Sequence, residues 1–249
     1  MVALAGWAVL GPDPRIADWA AAALPLAKRV LAQSAEPWRC GGTWFVGVDA
    51  LPNGPDGAVG RVPFPWAALP LQPEPLHPAQ ISVIRPGYPR ADAGESETAA
   101  RFRRNRDAAH LDGLLPLGHP PRRFIREPHA WILGLPLNDT TPDASPLVIW
   151  EGSHHIMRTA LINALAPHPP ADWANIDVTD AYTAARAHVF DVCPRREIPA
   201  RPGEATLLHR LTIHGVAPWS HSASAPPEGR IIAYLRPQLS SVQDWISPA

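Results

Sequence analysis

Prolines punctuate this chain from Pro12 to Pro248, and each one fixes φ near about −65° and removes a backbone donor. With 32 of them in 249 residues, long helices and broad central strands have few places to form. Short strands joined by rigid loops, with a few helices, are what such a chain can build. The prolines are interleaved with Trp, Ile, Leu and Val instead of gathered into a low-complexity run. Hydrophobic residues make up 46% and charged residues 18%, so a core is available and disorder is excluded. The length suits one large β domain, and we read residues 1–249 as a single unit.

Local signals place the elements. Arg15 to Gln33 is alanine-rich and predicts a helix that Pro25 should kink or split. Gly42 to Val48 has strand propensity and is followed by the turn pairs Asn53-Gly54 and Asp56-Gly57. Gln80 to Arg85 predicts another strand, and Ala93 to Arg106 a helix with acidic residues early and basic ones late. Strands are expected at His110 to Gly113, His129 to Asn138, Leu147 to Trp150, Glu204 to Leu208, Thr212 to Val216 and Arg230 to Arg236. Helical stretches should cover parts of 156–165 and 172–188. Short strands between turns predict a mainly β fold, a jelly roll or cupin-like double-stranded β-helix with flanking helices. Residues 1–100 would pack on it, and residues 105–237 would form its core.

Charge and cysteine content remove several function classes. A formal charge of −1 gives no global attraction to nucleic acid or anionic membrane. Arg101, Arg103, Arg104 and Arg106 read as a solvated helix face. Cys40 and Cys193 are too few for a disulfide framework and lack zinc-like spacing, which fits reduced thiols in a cytoplasmic protein. The apolar run Met1 to Leu10 is too short to span a bilayer and lacks the basic start of a signal peptide. It is expected to be a buried N-terminal segment.

His110-Leu111-Asp112 carries the chemistry. Residues i and i+2 of a strand point the same way, so one imidazole and one carboxylate would share a direction. A distant histidine, His214, would complete a 2-His-1-carboxylate triad that leaves positions open on iron(II). Eleven histidines make a lone His-x-Asp unremarkable; its weight comes from order and context. His214 closes a strand after the turn-like Pro202-Gly203, and Arg230 opens the last strong strand.

Four stretches resemble the phytanoyl-CoA dioxygenase-like branch of the iron(II)/2-oxoglutarate oxygenases. They are Ala109 to Gly113, His129 to Leu137, Pro146 to His154 (with its Gly152-Ser153-His154 turn), and Pro202 to Gly215 running on to Arg230. The resemblance implies that His110, Asp112 and His214 bind Fe(II), and that Arg230 holds the far carboxylate of the co-substrate 2-oxoglutarate. Arginine suits that role because it makes paired, charge-assisted hydrogen bonds. It also implies reaction with O2, release of succinate and carbon dioxide, and hydroxylation of a small organic metabolite. Trp131 is expected at the co-substrate or in the pocket wall, with an ordinary core position as the alternative. Arg230 stands sixteen residues after His214, a longer gap than the family's, with Ser222 to Pro227 as the apparent insertion. Arg236 shares the parity of Arg230 and is the other candidate anchor.

Asp112 also bears on reaction type, since related halogenases lack this carboxylate. Ser153 is rejected as an esterase nucleophile because Trp150 and His155 replace the glycines of a Gly-x-Ser-x-Gly elbow. His154 would fix a loop, while His119, His129 and His155 are candidates to line the pocket. No His-Glu-x-x-His or paired Cys-x-x-Cys supports a zinc hydrolase. A silent or differently acting cupin-like binding protein is the alternative to an enzyme.

Overall fold

The computed structural model describes residues 5–248. In chain order the elements are β1 (Trp7–Leu10), α1 (Pro14–Gln33), β2 (Trp44–Leu51), β3 (Ala79–Ile84), α2 (Glu97–Asn105), β4 (Leu114–Leu117) and β5 (Arg122–Ile125). There follow β6 (Trp131–Pro136), β7 (Leu147–Trp150), α3 (Ser153–Leu165), α4 (Thr179–Val192), β8 (Arg195–Ile198), β9 (Ala205–His209), β10 (His214–Val216), β11 (Arg230–Leu235) and α5 (Val242–Ile246). Two antiparallel sheets carry the architecture: a six-stranded one in the order β1-β9-β6-β11-β3-β2 and a three-stranded one in the order β10-β7-β8. Strands β4 and β5 form a separate hairpin.

Strand alternation sorts the side chains into layers. Leu133 and Leu135 of β6, Ile81 and Val83 of β3, and Ile231, Ala233 and Leu235 of β11 pack against α1. The intervening Ile132 of β6 and Leu208 of β9 meet Leu147 and Ile149 of β7 and Ile198 of β8, which closes the space between the sheets. On the far side Val148 and Trp150 pack against Met157, Leu161 and Leu165 of α3 and Val189 of α4. The order of layers is therefore helix, large sheet, small sheet, helix pair.

Helix α1 runs unbroken through Pro25, so the expected split does not occur. Ile16, Trp19, Ala20, Ala23 and Ala27 recur at helical spacing and are buried, each large one contributing roughly 2–3 kcal/mol. Pro25 and Ala21 both lie on the exposed face, where the carbonyl that the missing donor leaves free is open to solvent. Asp13 caps the first turn through the Arg15 N–H.

Other expectations are corrected. His110 to Gly113 is not a strand; His110 makes a single bridge to His214, and a turn follows. Helix α2 begins only at Glu97, capped by the Ser96 hydroxyl. Arg103 is not part of a solvated face, since it pairs with Glu95 and Asp92 and donates to Cys40 Sγ at 2.7 Å. Of the apolar start, residues 7–10 form the edge strand β1, with Val9 exposed; residues 1–4 lie outside the described part. Both cysteines are free thiols. No helix among the described residues is long and apolar enough to cross a membrane.

Candidate metal centre

The site is assembled where the loop before β4 crosses β10. Asp107 and Ala108 both adopt left-handed backbone, with φ of 52°. This costs free energy for non-glycine residues and is held in place by Arg195, whose Nε and Nη2 donate to the buried Asp107 carboxylate at 2.7 and 2.8 Å. The turn delivers His110 to β10, where the two histidines exchange backbone bonds of 2.9 and 3.1 Å. A Cβ on Gly215 would sit 2.2 Å from the Asp107 carbonyl, so only glycine permits this approach. From the other side the Ile213 N–H donates to the buried Ser153 hydroxyl at 2.9 Å, fixing the residue before His214. Ser153 is fully buried, which agrees with its rejection as a nucleophile.

Both imidazoles are oriented by carbonyls. His110 Nδ1 lies 3.0 Å from the Ala108 carbonyl and His214 Nδ1 2.9 Å from that of Thr212. With Nδ1–H donating there, each Nε2 is the ring nitrogen turned to the site, the arrangement a metal-ligating histidine needs. His110 Nε2 stands 3.2 Å and His214 Nε2 3.8 Å from Asp112 Oδ1. One donor atom from each of the three residues falls within 4.8 Å of the others, so the group can hold a metal ion. The three residues that the sequence singles out do come together, although the strand expected for His-x-Asp is only a bridge and a turn.

The electrostatics suit a cation. Burial lowers His214 to about 4, the Asp112 charge only partly opposing it, so the ring is neutral at pH 7 and free to donate. His110 moves the other way: burial by itself would lower it, but its hydrogen bond to Asp112 and that group's charge prevail. Burial would raise Asp112, yet His110, His214 and Arg236 together hold it well below the usual carboxylate range. The carboxylate is therefore an anion ready for a metal.

His110, Asp112 and His214 open onto a cavity of about 630 Å³ whose lining includes Trp44, Ser82, Tyr88, Leu111, Tyr182 and Tyr234. Arg236 reaches the His110–Asp112–His214 group: its Nη1 donates to Asp112 Oδ2 at 3.0 Å and its Nη2 to Gln80 Oε1 at 2.7 Å. Arg230 lies apart from the cluster on the same face of β11. It is 8% exposed, and its Nη1 is buried without a hydrogen-bond partner. A narrow cleft surrounds it, lined also by Thr206, Ile232, Tyr234 and Leu147, of which Tyr234 and Leu147 border the large cavity too. An orphaned guanidinium nitrogen of this kind fits an anionic group.

Trp131 is not at the site. Its Nε1 donates to Glu74 at 2.9 Å and its ring meets Trp66 edge-on at 6.5 Å, on the face of β6 opposite Ile132. Ile132 is the residue that lines the cavity. His119, His129 and His155 are absent from that lining as well; His154 is buried at the start of α3 with its ring against those of His155 and His209. Sequence reasoning missed Gln80 and Ser82, though the alternation Gln80-Ile-Ser82-Val on β3 sets two polar residues on one face. Nothing in the sequence pairs Asp107 with Arg195.

No family model matches the chain, and no curated protein matches it. Among solved structures, the non-heme α-ketoglutarate-dependent carbocyclase SnoK from nogalamycin biosynthesis is 15% identical, with a TM-score of 0.45 over 98% of this chain and 85% of its own. The non-heme α-ketoglutarate-dependent epimerase SnoN from the same biosynthesis is 15% identical, with 0.48 over 94% and 78%. EctD from S. alaskensis with bound Fe is 16% identical, with 0.45 over 94% and 72%. Likeness at this level reaches neither family nor activity.

Proposed function

We propose that this chain is an iron(II)- and 2-oxoglutarate-dependent oxygenase that hydroxylates a small organic molecule. The observation that carries this reading is the His110–Asp112–His214 donor set opening onto a large cavity. Two imidazole donors and one carboxylate are the ligand set for iron(II) with positions left for co-substrate and oxygen. In this reading the two sheets form an open double-stranded β-helix, with the metal between them.

Each group has a task. His110, Asp112 and His214 hold the metal, the rings oriented by the Ala108 and Thr212 carbonyls. Arg230 takes the far carboxylate of 2-oxoglutarate, which would satisfy its orphaned Nη1. Arg236 is committed to Asp112 and Gln80 and is not the anchor. Iron(II), when bound, would let O2 act as the oxidant, one oxygen atom going to succinate as 2-oxoglutarate loses carbon dioxide and the other to the hydroxylated product. The aromatic and aliphatic cavity wall keeps water from the reacting carbon. Retention of Asp112 as a donor favours hydroxylation over halogenation.

An anaerobic titration with iron(II) and 2-oxoglutarate tests this without knowledge of the substrate. A saturable visible charge-transfer band is expected, absent in Asp112→Ala and needing more 2-oxoglutarate in Arg230→Gln. Folded wild-type protein that yields no band, or an unchanged band in Asp112→Ala, would exclude the assignment.

A further inference from the structure

We infer that Arg236 is a positioning residue that restricts Asp112 to one-oxygen coordination and so keeps a metal position open. This rests on the metal-centre reading above. The two oxygens of Asp112 have different partners. Oδ1 faces both histidine Nε2 atoms, at 3.2 and 3.8 Å, whereas Oδ2 accepts from Arg236 Nη1 at 3.0 Å. A carboxylate whose second oxygen is held by a guanidinium presents the first one alone.

Arg236 is itself anchored from both ends. Its side chain is 12% exposed, and Nη2 is taken by Gln80 Oε1 at 2.7 Å. Its carbonyl lies 2.9 Å from His77 Nε2, and His77 Nδ1 lies 2.6 Å from Asp49 Oδ1. The guanidinium thus has a fixed direction. A planar fork can serve Gln80 and Asp112 together, which a lysine ammonium on a flexible stem cannot do with the same geometry.

Position counting gives the arrangement its purpose. Three protein donors on an octahedral ion leave three positions for a bidentate co-substrate and oxygen. If Asp112 bound through both oxygens, a fourth position would be filled and the co-substrate would have to compete for it. Loss of Arg236 should therefore leave metal affinity intact or raised, because an oxygen donor is gained and a nearby cation removed. Chelation of 2-oxoglutarate should weaken.

Cobalt(II) substitution tests this, since its electronic spectrum reports coordination number. Wild-type protein, Arg236→Ala, Arg236→Lys and Gln80→Ala are titrated with cobalt(II) alone, then with 2-oxoglutarate. The expected result in Arg236→Ala is retained cobalt affinity, a changed spectrum before any co-substrate is added, and 2-oxoglutarate binding weakened roughly tenfold or more. Arg236→Lys should recover this only in part. Gln80→Ala, which keeps Arg236 but removes its brace, should shift the spectrum the same way to a smaller extent; no shift there overturns the inference even if Arg236→Ala fails to fold. An unchanged cobalt spectrum in folded Arg236→Ala overturns it, as does loss of cobalt affinity, which would mean simple charge pairing. Wild-type protein that takes up no cobalt refutes the metal centre itself, and this inference with it.

Discussion

Gly215 sets the separation between the two histidines. It follows His214 directly, and the Asp107 carbonyl occupies the place its Cβ would take. Alanine there must push the 107–110 turn away from β10 and lengthen the paired backbone bonds between His110 and His214. Overpacking of this kind typically costs about 1–3 kcal/mol. Here the larger effect should fall on the metal, because His110 and His214 would no longer converge on Asp112. We expect Gly215→Ala to fold with a reduced melting temperature and to bind iron(II) or cobalt(II) at least tenfold more weakly. Calorimetric titration reads the affinity; unchanged metal binding would show that the backbone approach is not what aligns the pair.

Among the elements, α1 offers the cleanest test of backbone energetics. Pro25 sits inside the helix on its exposed face, where it removes a hydrogen bond without touching the packed stripe of Ile16, Trp19, Ala20, Ala23 and Ala27. Pro25→Ala should stabilise the protein by about 1–3 kcal/mol, less the entropy the unfolded chain regains. Urea unfolding would show a higher midpoint at constant slope, and a lower one would mean that the proline's restriction of the unfolded chain outweighs the hydrogen bond it removes. The same helix shows what was legible. Its alanine content identifies it, and Leu147–Trp150 has its expected ends, whereas Pro25 does not split it, because propensity carries no information about which face meets water. Trp131 was misplaced for a related reason. The run Trp131-Ile-Leu-Gly-Leu-Pro136 is apolar on both faces, so no alternation tells cavity side from helix side. Along β11 and the residue after it the alternation sets Arg230 and Arg236 on one face, which leaves both as candidates for the anchor, Arg230 the preferred one. The β4–β5 hairpin, rich in proline and charge, and the polar β8 gave no pattern to read.

Across the whole molecule, buried histidines link stability to pH. Burial, reinforced by the charges of His154 and Arg210, lowers His209 to about 3. Burial and the Arg236 charge lower His129 to about 4, and burial lowers His214 to about 4. Each ring would take up a proton near its ordinary value of 6.5 in the unfolded chain. Between pH 6.5 and about 4 the unfolded state therefore binds more protons than the folded one, and stability falls as pH falls. His110 works in the opposite sense: its raised value gives stability that is present below 6.5 and lost as pH rises through the folded value. Asp112, held low, loses its contribution only below about 3.8, outside the window. Below 6.5 the His110 contribution is already complete, so the three lowered rings set the slope, and the metal-free protein should lose stability steadily from pH 6.5 to 4. His209 is the one to change, because it lies outside the His110–Asp112–His214 group and its Nδ1 accepts the Leu211 N–H. In His209→Gln the amide can take that bond without titrating, so the slope of unfolding free energy against pH should flatten by up to one proton's worth. Denaturant unfolding at a series of pH values measures both slopes, and parallel curves would mean that His209 is not held neutral by its burial.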